Sequence, residues 1–134
     1  MGTLTQHFNV EELLPKGVTD TSLLDAKLLK LIDEIRDLLN VPCTINNYAS
    51  GGTRQWCGLR TPACTEGAAH SQHRLGCAAD LHPEGLTAEQ ARAKVKDAVA
   101  KGKLVDLGGV ELGVSWLHVD VRPRVNGNVL WFTA

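Results

Sequence analysis

Apolar residues follow two different periods along this chain. Leu24, Leu28, Leu31, Ile32, Ile35, Leu38 and Leu39 recur every three or four positions, which is the spacing of one helix face. They predict an amphipathic helix running from a cap at Thr21 or Ser22 to about Leu39. A shorter helix is predicted before it, capped at Asn9, with Glu12 at the third helical position and Pro15 and Gly17 as its stop. Thr87-Ala88-Glu89-Gln90 has the form of a capping box and predicts a further helix through Ala100, closed by Gly102.

Outside the helices the period changes to two. In Trp116-Leu117-His118-Val119-Asp120-Val121, alternation puts Trp116, His118 and Asp120 on one strand face and Leu117, Val119 and Val121 on the other. Val41–Asn47, Leu104–Glu111, Trp116–Arg122 and Val129–Phe132 read as strands, with Asn126-Gly127 as a hairpin signal between the last two. A buried strand is also expected around Leu75-Gly76-Cys77-Ala78-Ala79-Asp80-Leu81, entered through the glycine turn. The fold class is therefore α+β, helices first, with a small antiparallel sheet. The loop of about twenty-five residues before His73 is long for a compact domain and is expected to form a cleft rim. Tyr48, Trp56 and Arg60 would be available there to grip a ligand, or else to form a local mini-core.

Composition narrows the picture. With 134 residues, 43% of them hydrophobic, and no repeats, linkers or low-complexity runs, residues 1–134 are expected to form one domain and to act as a monomer. A net charge of −1 without a Lys/Arg cluster offers no footprint for nucleic acid, and no segment approaches the ~20 apolar residues of a membrane span. Met1–His7 lacks the basic start and apolar core of a secretory signal, so synthesis in a cytoplasm is expected. Cys43, Cys57, Cys64 and Cys77 contain no Cys-x-x-Cys pair, which argues against a zinc ribbon. Buried free thiols are expected, with a Cys57–Cys64 staple as the alternative and Cys77 as core filler.

The chemistry concentrates in two segments. His73 and Asp80 bracket the Gly76 turn, and His118 sits on the alternating strand about forty residues later. Two neighbouring strands would bring these three to one point, and a His-Asp-His set has the count and softness of a zinc site with one open position. His82 shares the strand face of Asp80, but Pro83 is expected to end the strand and leave it an edge residue. His7 and His70 lie outside the pattern and are expected at the surface.

Ser71-x-His73-x-x-Gly76-x-Ala78-x-Asp80, followed by Trp116-x-His118-x-Asp120, resembles the zinc D-Ala-D-Ala carboxypeptidases and L-Ala-D-Glu endopeptidases of peptidoglycan, which share their fold with the hedgehog signalling domain. Phe8-Asn9-Val10-Glu11-Glu12-Leu13 is similar to the family's opening, and Gly58-Leu59-Arg60-Thr61-Pro62 to its Tyr-Arg-Thr-Pro segment, with Leu59 in place of the aromatic. The resemblance implies that His73, Asp80 and His118 hold zinc. It also implies that Arg60 holds a substrate carboxylate or polarised carbonyl. As donor to a tetrahedral oxyanion, Arg60 is the first candidate and Arg54 the second, because a guanidinium offers fixed charged donors. The implied substrate is a peptidoglycan stem peptide, and without a signal peptide the implied setting is a phage lysin or virion-associated enzyme, released to the cell wall.

One position departs from the family. Where many members carry an acidic general base, three residues before the last histidine, this chain has Ser115, which cannot accept a proton at neutral pH. Glu111 is the favoured replacement and Asp120 the second choice, although Asp120 is equally suited to orienting His118. Zinc would lower the pKa of its water to ~7 and the carboxylate would take the proton, so amide hydrolysis would need no covalent intermediate. Two competing expectations are a catalytically silent zinc module that binds wall peptide or a protein partner, and a zinc-free fold held by disulfides.

Overall fold

In the computed structural model, which describes residues 3–62, 64 and 71–133, one continuous hydrophobic cluster runs from Phe8 to Val129. The predicted helices are present as α1 (Val10–Leu13), α2 (Ala26–Leu39) and α3 (Ala88–Ala100). Leu28, Leu31, Ile32, Ile35 and Leu39 form the buried face of α2, as their spacing requires. The start of α2 differs from expectation. Thr21 and Ser22 belong to a separate 3₁₀ turn, Thr21–Leu23, and α2 begins after Asp25, whose Oδ1 accepts from the Lys27 N–H at 2.7 Å. The capping box of α3 is formed as predicted, Thr87 Oγ1 accepting from Gln90 N at 3.1 Å and Gln90 Oε1 from Thr87 N at 2.9 Å.

Among the described residues, five short strands follow the order β1-β2-β4-β3-β5: β1 (Cys43–Thr44), β2 (Ala78–Pro83), β3 (Gly109–Glu111), β4 (Leu117–Asp120) and β5 (Leu130–Phe132). The sheet is mixed, which corrects the expected antiparallel one, because β3 and β5 run parallel. The Asn126-Gly127 turn does form, with φ of 55° and 75° and a bridge between Val125 and Asn128. It does not join a hairpin of neighbouring strands. Both edges of β4 are already paired, to β2 and β3, so the chain crosses to the free edge of β3 and arrives there parallel. The strands are also shorter than predicted at Val41–Asn47 and Leu104–Glu111.

Helices α2 and α3 cover one face of the sheet, where Ala79, Leu81, Val110, Leu117 and Val119 join the core. Alternation sends Asp80, His82, His118 and Asp120 to the opposite face. Among the described residues no helix is long and apolar enough to cross a membrane.

Gly76 aims this second face. It closes the 3₁₀ turn Gln72–Leu75 at φ 70°, and a Cβ there would run into the Leu23 carbonyl. Gly76→Ala is therefore expected to cost about 2–3 kcal/mol and lower Tm by on the order of 10 °C in a thermal melt followed by circular dichroism. An unchanged Tm would show that the turn adapts.

Candidate metal centre

Register brings the three sequence-predicted ligands together. Asp80 on β2 lies directly opposite His118 on β4, and the turn closed by Gly76 folds His73 back above the pair. His73 was expected beside a strand and lies on the 3₁₀ turn instead. Its Nε2 is 3.1 Å from Asp80 Oδ1, and His118 Nδ1 is 2.9 Å from the same oxygen. All three side chains are at least 94% buried. Donor atoms around a tetrahedral zinc at 2.0–2.2 Å stand about 3.3–3.6 Å apart, so both histidine–Asp80 distances need to lengthen only slightly to take an ion, and the ligand atoms of all three residues lie within 4.8 Å of one another. The group is able to hold a metal ion.

The outer nitrogens decide which atoms face the centre. His73 Nδ1–H donates to the Gly58 carbonyl at 2.8 Å, which turns Nε2 inward. His118 Nε2–H donates to Asp120 Oδ2 at 3.1 Å, which turns Nδ1 inward. Asp120 is fully buried and sits on the far side of the His118 ring from the convergence point. Its oxygens are also taken by Arg122, from Nε at 2.8 Å and Nη2 at 2.6 Å.

The charges are strongly coupled. Burial would raise the pKa of Asp80, but hydrogen bonds from His118 and His73 outweigh it and hold the carboxyl well below its usual range. Burial would likewise lower that of His118, yet hydrogen bonds to Asp120 and Asp80 push it up to about 9. Asp120 is held low, against the effect of burial, by His118 and Arg122.

The centre opens into a cleft of about 650 Å³ whose walls include Arg54, Trp56, Arg60, Glu111, Trp116 and Phe132. Glu111 projects from the end of β3, its Oε1 3.9 Å from His118 Nδ1. Arg60 is anchored by Nε to the Trp56 carbonyl at 2.9 Å and approaches Asp80 Oδ2 with Nη2 at 3.4 Å, leaving donors for a ligand. Arg54 also lines the cleft, pinned to the Ile45 carbonyl at 3.3 Å and to Thr44 Oγ1 at 3.2 Å. Ser115 is exposed and lies outside the cleft lining.

Several expectations for neighbouring residues are corrected. His82 is not stranded at an edge: β2 continues to Pro83 and His82 lines the cleft, with Nε2 3.5 Å from Cys57 Sγ, though outside the converging trio. Burial, with Arg54 nearby, lowers its pKa. Tyr48 turns away from the cleft and donates to the Leu14 carbonyl at 3.0 Å, the mini-core alternative, whereas Trp56 does face the cleft. No disulfide joins Cys57 to Cys64, so the staple is not formed, and Cys77 is half-buried rather than core. His7 pairs with Asp37 at 2.7 Å at the surface, and His70 lies outside the described residues.

Residues around His118 were missed in the sequence. Arg122 lies two residues past Asp120, just beyond the end of β4, so alternation carried one step further would have found it. Phe132 meets the His118 ring in a T-shape, centroids 5.6 Å apart, only because β5 pairs parallel with β3, and no local pattern signals that. Compared with known protein families, curated proteins and solved structures, the chain matches none.

Proposed function

We propose that this chain is a zinc-dependent peptidase that hydrolyses an amide bond in peptidoglycan stem peptides, of the D-Ala-D-Ala carboxypeptidase or L-Ala-D-Glu endopeptidase type. The observation that carries the reading is the convergence of His73 Nε2, an Asp80 oxygen and His118 Nδ1 at the floor of a cleft, with Glu111 and Arg60 on its walls. Together with the His73…Asp80…Trp116-x-His118 spacing, it supports a hedgehog/DD-peptidase-like fold. Two imidazoles and one carboxylate suit zinc, which when bound supplies Lewis acidity and an acidified water.

The chain's own groups do the rest. Glu111 takes a proton from the attacking water and passes it to the leaving amine. Arg60 donates to the negative charge that develops on the scissile carbonyl oxygen, where a fixed guanidinium needs no reorganisation. Asp120 acts through His118, as an orienting group and not as the base. Trp56 offers an apolar wall to the stem peptide.

Purified peptidoglycan incubated with the zinc-loaded protein is expected to release new amine termini, and chelator is expected to stop the release. A second reading, a silent zinc module that binds wall peptide or a protein partner, is favoured by Ser115 at the position where many members of the family that the motifs resemble carry an acid. Zinc binding without new amine termini at any metal loading would select it. The setting we propose is the bacterial cell wall, reached on lysis as by a phage lysin. A gene placed among cell-division genes, and not beside lysis or tail genes, would contradict that setting.

A further inference from the structure

His73 and His118 are steadied in different ways. The outer nitrogen of His73 meets a backbone carbonyl, which the fold itself holds still. That of His118 meets the Asp120 carboxylate, a group free to rotate unless something stops it. Arg122 stops it: Nε and Nη2 reach Asp120 Oδ1 and Oδ2 at 2.8 and 2.6 Å, and the Arg122 N–H adds a third bond to Oδ1 at 3.2 Å. A forked contact of this kind fixes the plane of the carboxylate as well as its position.

The guanidinium is held in turn. It lies over the Phe132 ring at 4.6 Å, and the Phe132 and His118 rings meet in a T-shape, so His118, Asp120, Arg122 and Phe132 close a ring drawn from β4, β5 and the residues after β4. Space for the ring comes from β3. A Cβ on Gly109 would come within 2.6–2.7 Å of the Asp120 carboxylate and of Arg122 Nε, so no side chain fits there without breaking the pair.

We propose that Arg122 is a positioning residue of the metal centre: by forking onto Asp120 it keeps that carboxylate on His118 Nε2 and so keeps His118 Nδ1 aimed at the point shared with His73 and Asp80. The proposal rests on reading those three residues as a metal centre. Charge alone would not do this. A lysine ammonium has the charge but neither the fork nor the flat face that stacks on Phe132.

The test is zinc affinity by competition with a chromophoric chelator, together with the visible spectrum of the cobalt(II)-substituted protein. Arg122→Gln is expected to weaken zinc about 10–100-fold and to shift the cobalt bands, and Arg122→Lys to stay within about threefold of that loss. Arg124→Gln is the control, because among the described residues the Arg124 guanidinium bonds only the Leu107 and Leu104 carbonyls, at 2.7 and 2.9 Å. It is expected to lower Tm and leave zinc affinity within about twofold of wild type. Full rescue by Arg122→Lys, unchanged zinc and cobalt behaviour in both Arg122 variants, or an equal loss in Arg124→Gln would each overturn the proposal while leaving the metal centre standing. Should Arg122→Gln not fold, Arg122→Lys decides by itself. A wild-type protein that binds no metal would overturn both.

Discussion

Glu111→Gln is expected to lower kcat for stem-peptide hydrolysis by about 10²–10⁴-fold while zinc affinity stays within about threefold of wild type. The expectation follows from where the two candidate carboxylates stand. Asp120 is fully buried behind His118, with Arg122 and His118 Nε2 on its oxygens, so it has no path to a water on the Nδ1 side. Glu111 stands on the cleft side, 3.9 Å from Nδ1, with its side chain 16% exposed. The two carboxylates thus predict opposite phenotypes. A base acts only in the transition state, so kcat and kcat/KM fall together in Glu111→Gln. Asp120→Asn instead weakens metal binding about 10–100-fold, because it removes the acceptor that orients His118. Steady-state kinetics at saturating zinc separates the two, and full activity in Glu111→Gln would remove Glu111 from the mechanism.

Zinc affinity is expected to climb about tenfold per pH unit between roughly pH 7 and 8.5 and to level off above about 9. The metal-free centre holds a proton on His118, whose pKa Asp120 and Asp80 push up to about 9, and zinc must displace that proton to reach Nδ1. One proton released per ion gives the tenfold slope. The same proton affects the stability of the metal-free protein. A raised folded-state pKa stabilises fully below the unfolded value of ~6.5, and that contribution disappears as pH rises through about 9. Asp120 behaves in the opposite sense: its depressed pKa stabilises above ~3.8 and the benefit is lost as pH falls through the lower folded value. At a zinc concentration about 1,000 times Kd the folded state gains ~4 kcal/mol, which raises Tm by on the order of 10 °C. His118→Ala should abolish the pH slope and weaken zinc by more than about 100-fold, beyond what loss of an outer partner costs. Isothermal titration in buffers of different ionisation enthalpy measures the proton count, and a count of zero at pH 7 would contradict the account.

The parts of this architecture that could be read in advance were those set by local period. The α2 stripe and the outward face of β4 follow from spacing alone, so the burial of Ile32 and Ile35 and the shared face of His118 and Asp120 were both legible. Starts and ends of elements were less so. Asp20 and Asp25 both cap, five residues apart, and only packing decides that Thr21–Leu23 stays a separate turn. Pairing was not legible at all. Nothing within β2 or β4 says that Asp80 faces His118 and not its neighbour, and a slip of one residue would have turned the carboxylate into the core. The parallel arrival of β5 is likewise a matter of which strand edge remained free, and it alone brings Phe132 to the His118 ring. The converging trio of His73, Asp80 and His118 was therefore readable from residue types, whereas the ring beside it was not, because Gly109, Arg122 and Phe132 meet only through tertiary pairing.

The central claim is that His73, Asp80 and His118 hold one zinc ion through Nε2, a carboxylate oxygen and Nδ1. An anomalous difference map recorded at the zinc absorption edge from crystals of the zinc-loaded protein tests it most directly. The account predicts a single strong peak about 2.0–2.2 Å from those three atoms, with its remaining side open to the Glu111 wall of the cleft. No peak at that point, or a peak coordinated by His82 and Cys57 instead, would contradict it.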